Sequence, residues 1–79
     1  MFFTLPDGKQ FQAKRTKRGQ HLYAVFVQLK FPASDGSDVF HWTINSQHLT
    51  AAAAEKASKA MLKNSPHLHN WQFAKATAV

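Results

Sequence analysis

Along residues 21–31 the side chains alternate, with Tyr23, Val25, Val27, Leu29 and Phe31 on one side of an extended chain and Leu22, Ala24, Phe26, Gln28 and Lys30 on the other. A run this rich in Val, Phe, Tyr and Leu predicts a central β-strand, with the odd-numbered side as the core face. Residues 39–46 alternate in the same way across the Ser/Asp/Gly-containing turn segment 32–38. They predict an antiparallel neighbour with Phe40, Trp42 and Ile44 pointing inward and His41, Thr43 and Asn45 outward.

Upstream, residues 2–5 and 9–15 flank Pro6-Asp7-Gly8, and Asp-Gly between apolar-containing runs is a strong hairpin signal. Downstream, Ala51 to Asn64 contains neither Gly nor Pro, and Thr50 stands where its hydroxyl can accept from an orphan first-turn amide. A helix is predicted there. Ala53, Ala57, Ala60, Met61 and Asn64 form its core face, opposite Glu55, Lys56, Lys59 and Lys63. A face of such small residues lets the helix lie close to an aromatic sheet, so Trp42 is expected to touch it. Ser65-Pro66 ends the helix, residues 67–70 form a loop, and residues 71–79 form a last strand. The sum is a single α+β domain spanning residues 1–79. It is an antiparallel four- to five-stranded β-meander with one α-helix packed on one face, in the order β-β-β-β-α-β.

The length of 79 residues is close to the lower limit for a self-sufficient core. Seven Phe, two Trp and one Tyr supply enough apolar area for a core without a metal or disulfide. With no Cys, disulfide frameworks, thiolate metal sites and cysteine nucleophiles are excluded, which suits a reducing compartment. No stretch approaches the roughly 18 apolar residues of a membrane span, and the N-terminus has no signal-peptide pattern. The expected location is the cytoplasm.

Ten Lys and Arg against four Asp and Glu give a formal charge of +6, which favours anionic partners. The charge is local: Lys14, Arg15, Lys17 and Arg18 crowd one segment where a strand enters a turn, placed to reach phosphates without burying charge. A solvated loop accounts for the same residues equally well. Lys56, Lys59 and Lys63 make a second basic row, in which Glu55 can pair with Lys59 across one helical turn, and a plain solvent face is the preferred reading. Gln12, Lys14, Gln28, Lys30, His41, Thr43 and Asn45 are expected on the sheet surface away from the helix. Such a face can touch base edges, although polar outer faces are the default for antiparallel sheets.

Catalysis needs converging acids, bases or nucleophiles, and of the four carboxylates Asp7, Asp35 and Asp38 lie in turn-like sequence. No enzymatic activity is expected. Asp35-Gly36-Ser37-Asp38 lacks the ligand ladder and terminal Glu of an EF-hand and reads as a turn. His67 and His69 can share one side of an extended segment, but no third ligand is evident, and His21, His41 and His48 lie elsewhere. No metal, cofactor or small-molecule ligand is expected.

Two family resemblances follow from these residues. From Tyr23 to Met61, a β-hairpin followed by Thr50-Ala51-Ala52-Ala53-Ala54-Glu55-Lys56-Ala57 resembles the three-strand-plus-helix layout of AP2-type and integrase arm-binding DNA domains. That likeness implies a sheet reading the major groove, although the arginine- and tryptophan-rich readout set of those families is missing here. The whole chain, from Phe2 through the alanine-rich helix to residues 71–79, resembles small phage-encoded anti-CRISPR proteins in size and layout. This likeness implies an inhibitor docking on a Cas surveillance complex and blocking target DNA binding or cleavage. It is the favoured expectation, with direct DNA or RNA binding through the basic loop and outer sheet face as the alternative. The residues expected to meet the partner are Lys14, Arg15, Lys17, Arg18, Lys30, Lys56, Lys59 and Lys63.

Overall fold

The computed structural model describes residues 1–65 and 67–78, so the Pro66 of the expected helix stop and the final Val79 lie outside the described residues. The element order is β1 (Phe2–Thr4), β2 (Gln10–Gln12), β3 (Arg15–Thr16), β4 (Gly19–Gln20), β5 (Tyr23–Pro32), β6 (Asp38–His48), α1 (Ala51–Asn64) and β7 (Leu68–Lys75). The class is the expected one: antiparallel strands with one helix.

The meander is replaced by a three-stranded sheet in the order β6-β5-β7 and two separate hairpins, β1-β2 and β3-β4. Because β6 and β7 both run antiparallel to β5, they are parallel to each other, and α1 carries the chain across the sheet between them. The expected second strand, residues 9–15, breaks at Ala13 and Lys14 into β2 and β3. The last strand begins at Leu68, so most of the expected 67–70 loop is paired with β5.

The Asp-Gly hairpin forms as its sequence dictates. Asp7 Oδ1 accepts from the Lys9 amide, the Leu5 amide donates to the Lys9 carbonyl, and Gly8 adopts a φ of 93° that a side chain would disfavour. At the start of α1, Thr50 is extended and its Oγ1 accepts from the Ala53 amide at 3.2 Å, the expected N-cap.

Register decides what each face of the sheet carries. From Phe26 to Pro32, even-numbered residues of β5 oppose even-numbered residues of β6, so Phe26 faces Ile44, Gln28 faces Trp42 and Lys30 faces Phe40. Trp42 and Ile44 therefore share the face of Ala24 and Phe26, and the expected contact of Trp42 with the helix does not form. A register shift after Val25 leaves Asn45 opposite no residue of β5.

Both faces of β5 are covered. On the odd-numbered face, Val25 and Val27 pack with Ala54 and Met61 of α1, flanked by Tyr23, Leu29, Leu68 and Trp71. On the even-numbered face, Ala24 and Phe26 pack with Phe3, Leu5 and Ala13 of the N-terminal hairpin and with Ala76. Reciprocal backbone bonds between Phe2 and Thr77, at 2.8 and 2.9 Å, fasten the hairpin there. The sheet thus lies between a helix and a hairpin. Gln12, Lys14, Gln28, Lys30, His41, Thr43 and Asn45 form no common outer surface, since His41 and Thr43 oppose Leu29 and Val27 while Gln28 opposes Trp42.

The helix is also turned relative to expectation. Its buried residues are Ala54, Ser58 and Met61, with Ala53 and Ala57 half-buried and Ala60 and Asn64 exposed. Ser58 can occupy a core position because its Oγ donates to the Glu55 carbonyl at 2.7 Å, so no polar atom is stranded.

Candidate functional site

Lys14, Arg15, Lys17 and Arg18 come together on one projecting hairpin. Arg15 pairs with Gln20 and Thr16 with Gly19, which places Lys17 and Arg18 at the two-residue tip. Gly19 has a φ of 127°, a backbone conformation that side-chain-bearing residues rarely adopt. The Thr16 hydroxyl donates to the Gly19 carbonyl and accepts from the Arg18 amide, both at 3.3 Å. All four basic side chains are exposed, and none forms an ion pair among the described residues.

The root of this finger is tied to the body by two glutamines that sequence reasoning missed. Gln47, near the end of β6, accepts from the Lys14 amide through Oε1 at 2.7 Å and donates through Nε2 to the Gln12 carbonyl at 3.3 Å. Gln20 Nε2 lies 2.9 and 3.0 Å from the carbonyls of Ala13 and Lys14, and the His21 amide donates to Lys14. Together these bonds satisfy the chain where residues 9–15 cease to be one strand. No sequence pattern distinguishes these two glutamines from solvent-facing ones.

The charge distribution is polar along the sheet. Lys75 faces Tyr23 across the β5-β7 ladder and so lies at the finger end, without an ion pair among the described residues. Ten residues of β5, about 30 Å of strand, separate this end from the turn holding Asp35 and Asp38. There Lys30 pairs with Asp38 at 3.4 Å and is remote from the finger. On the helix Lys59 pairs with Glu55 at 3.7 Å, as its spacing predicts, while Lys56 and Lys63 stay exposed.

The turn acids hold structure. Hydrogen bonds from the Ser37 side chain and amide keep Asp35 below the usual carboxylate range, and the Lys9 amide does the same for Asp7. His67 packs on Phe31 with ring centroids 5.1 Å apart and His69 on Phe40 at 4.7 Å. Those phenylalanines alternate to opposite faces of the β5-β6 hairpin, so the expected shared side for the two imidazoles is not found. No group of three or more His, Asp or Glu among the described residues is placed to hold a metal ion. No described helix is long and apolar enough to cross a membrane.

Beside the finger root, the side chain of Leu49 in the β6-α1 connection lies on the side of Gly19 where a side chain would stand, its Cδ2 4.0 Å from the position a Cβ would take. Next to that connection an open groove of about 380 Å³ lies between the first turns of α1 and strands β5 and β7. Comparison with known protein families, with curated proteins and with solved structures finds no match to this chain.

Proposed function

We propose that the protein is a non-catalytic, cytoplasmic nucleic-acid-binding protein that engages the phosphate backbone through the finger formed by Lys14, Arg15, Lys17 and Arg18. The observation that carries this reading is the rooted hairpin itself. Four cations that form no ion pair among the described residues are held on a framework of five bonds between side chains and backbone around Lys14 and Thr16. A solvated loop has no need of such a framework, whereas phosphate contacts that set register require a preorganised one. Major-groove readout by a bare sheet, as in the AP2-type layout, is not part of the proposal, because the N-terminal hairpin covers the even-numbered face.

Fluorescence anisotropy with labelled DNA and RNA tests the reading. If four phosphates are neutralised, log Kobs should fall with log salt at a slope of about −3 to −4. Replacing Lys14, Arg15, Lys17 and Arg18 together by Glu should abolish binding. Unchanged affinity in a folded quadruple variant overturns the proposal.

A second reading, the anti-CRISPR-like inhibitor, is favoured by a different surface. Phe31 and Val39 face each other across the far end of the β5-β6 hairpin and are 39 and 51% exposed, an apolar pair on one face suited to a protein partner. On this reading Val39→Asp weakens docking on a Cas surveillance complex while bare nucleic acid binds poorly. Co-elution of the complex with wild type and not with the variant supports it.

A further inference from the structure

We infer that the groove beside the finger is a seat for one unpaired nucleobase of a single strand whose phosphates lie on the finger, an inference that rests on the nucleic-acid reading above. The groove is lined by Tyr23, Ala51, Ala54, Glu55, Phe73 and Lys75 among its neighbours, and its volume of about 380 Å³ is ample for a planar heterocycle. Two of its walls are aromatic. Phe73 is 50% exposed although it belongs to a paired strand, and the Trp71 ring meets it edge-on at 5.1 Å and 88°, which holds its orientation. An exposed, propped aromatic ring is the platform that single-strand binders use, because every base has a π-face.

Charge narrows the occupant further. Glu55 and Lys75 are the charged residues that line the groove and their formal charges cancel, so the site itself offers no net positive charge to a free phosphate or carboxylate. A neutral, flat group fits it better. The cations needed for the attached phosphates lie next door, since Leu49, whose Cδ2 is 4.0 Å from where a Cβ on Gly19 of the finger would stand, is two residues from Ala51 of the groove. Tyr23 likewise follows the finger strand β4 by three residues. A base inside a duplex cannot enter the groove without leaving its stack, so the preferred ligand is single-stranded.

Anisotropy titrations with an oligothymidylate of about 12 nucleotides, and with an abasic strand of the same length and charge, test this directly. The expected result is roughly tenfold tighter binding of the oligothymidylate, the scale of one base–aromatic stack. Phe73→Ala should remove that difference and leave abasic binding unchanged. Ala51→Trp, which fills the groove from an exposed position and spares the core, should do the same and decides the matter if Phe73→Ala loses the fold. Equal binding of the two probes by wild type, with the steep salt dependence retained, overturns the base seat and leaves the finger reading standing, as does a preference that survives both variants. Failure to bind either probe overturns both.

Discussion

The ring of Phe3 meets that of Phe26 nearly perpendicularly, 86° apart with centroids at 6.1 Å, and both are buried with at most 1% exposure. This edge-to-face contact closes the N-terminal hairpin over the even-numbered face of β5 and makes the hairpin part of the core. Phe3→Ala should therefore cost about 3–5 kcal/mol in urea denaturation. Phe11, its cross-strand neighbour at 38% exposure, should lose much less on the same replacement. Equal losses would place the hairpin outside the core.

The orientation of α1 is testable with two adjacent residues. Met61 is 6% exposed and packs against the odd-numbered face, while Leu62 is 48% exposed. Met61→Ala should destabilise the protein by about 2–5 kcal/mol, and Leu62→Ala should stay near the surface range of about 0.5 kcal/mol. The opposite ranking would turn the helix back toward the face expected from sequence.

Gln47 is a positioning residue for the finger. Gln47→Ala removes the acceptor of the Lys14 amide and should cost about 0.5–1.5 kcal/mol of stability at most, given the exposure of the bond. Its diagnostic effect is on binding: affinity for nucleic acid should fall several-fold while the salt slope keeps its value, since no phosphate-contacting charge is lost. Titrations at several salt concentrations separate this from the single neutralisation Arg15→Gln, which should flatten the slope by about 1.

Stability should fall in mild acid through His48. Burial, and then the positive charge of neighbouring His21, hold the His48 imidazole below its ordinary value, and its Nε2 lies 2.7 Å from Ser46 Oγ. In the unfolded chain it titrates near pH 6.5. Below about that pH the unfolded chain takes up a proton that the folded chain resists, so stability declines from there until the lowered folded value is passed. Asp7 and Asp35 act in the opposite range, because their lowered values become important only near pH 4 and below. Urea midpoints at about pH 7.5 and 5.5 should differ in wild type and converge in His48→Gln. An unchanged difference in the variant would assign the slope to another group.

The sequence by itself determined the local elements. Asp7-Gly8 specified the first hairpin, Thr50 with the Gly- and Pro-free alanine run specified α1, and alternation in residues 21–31 and 39–46 specified β5 and β6. Each of these signals is local, written in the φ/ψ preferences or side-chain periodicity of a few neighbouring residues. It also placed four cations where a strand meets a turn.

Only the tertiary structure decided the faces. Residues 39–46 present an apolar side whichever way they are paired, and the loop register alone sent Trp42 to the Phe26 side. The apolar Leu22, Ala24 and Phe26 were a visible hint that β5 is covered twice, since strands buried on both faces read as nearly continuous apolar runs. Four consecutive alanines gave no preference among helix faces, so packing against Val25 and Val27 selected Ala54, Ser58 and Met61. The finger and its groove depend on contacts between residues 14 and 47 and between 23 and 75, separations over which periodicity and propensity carry no information.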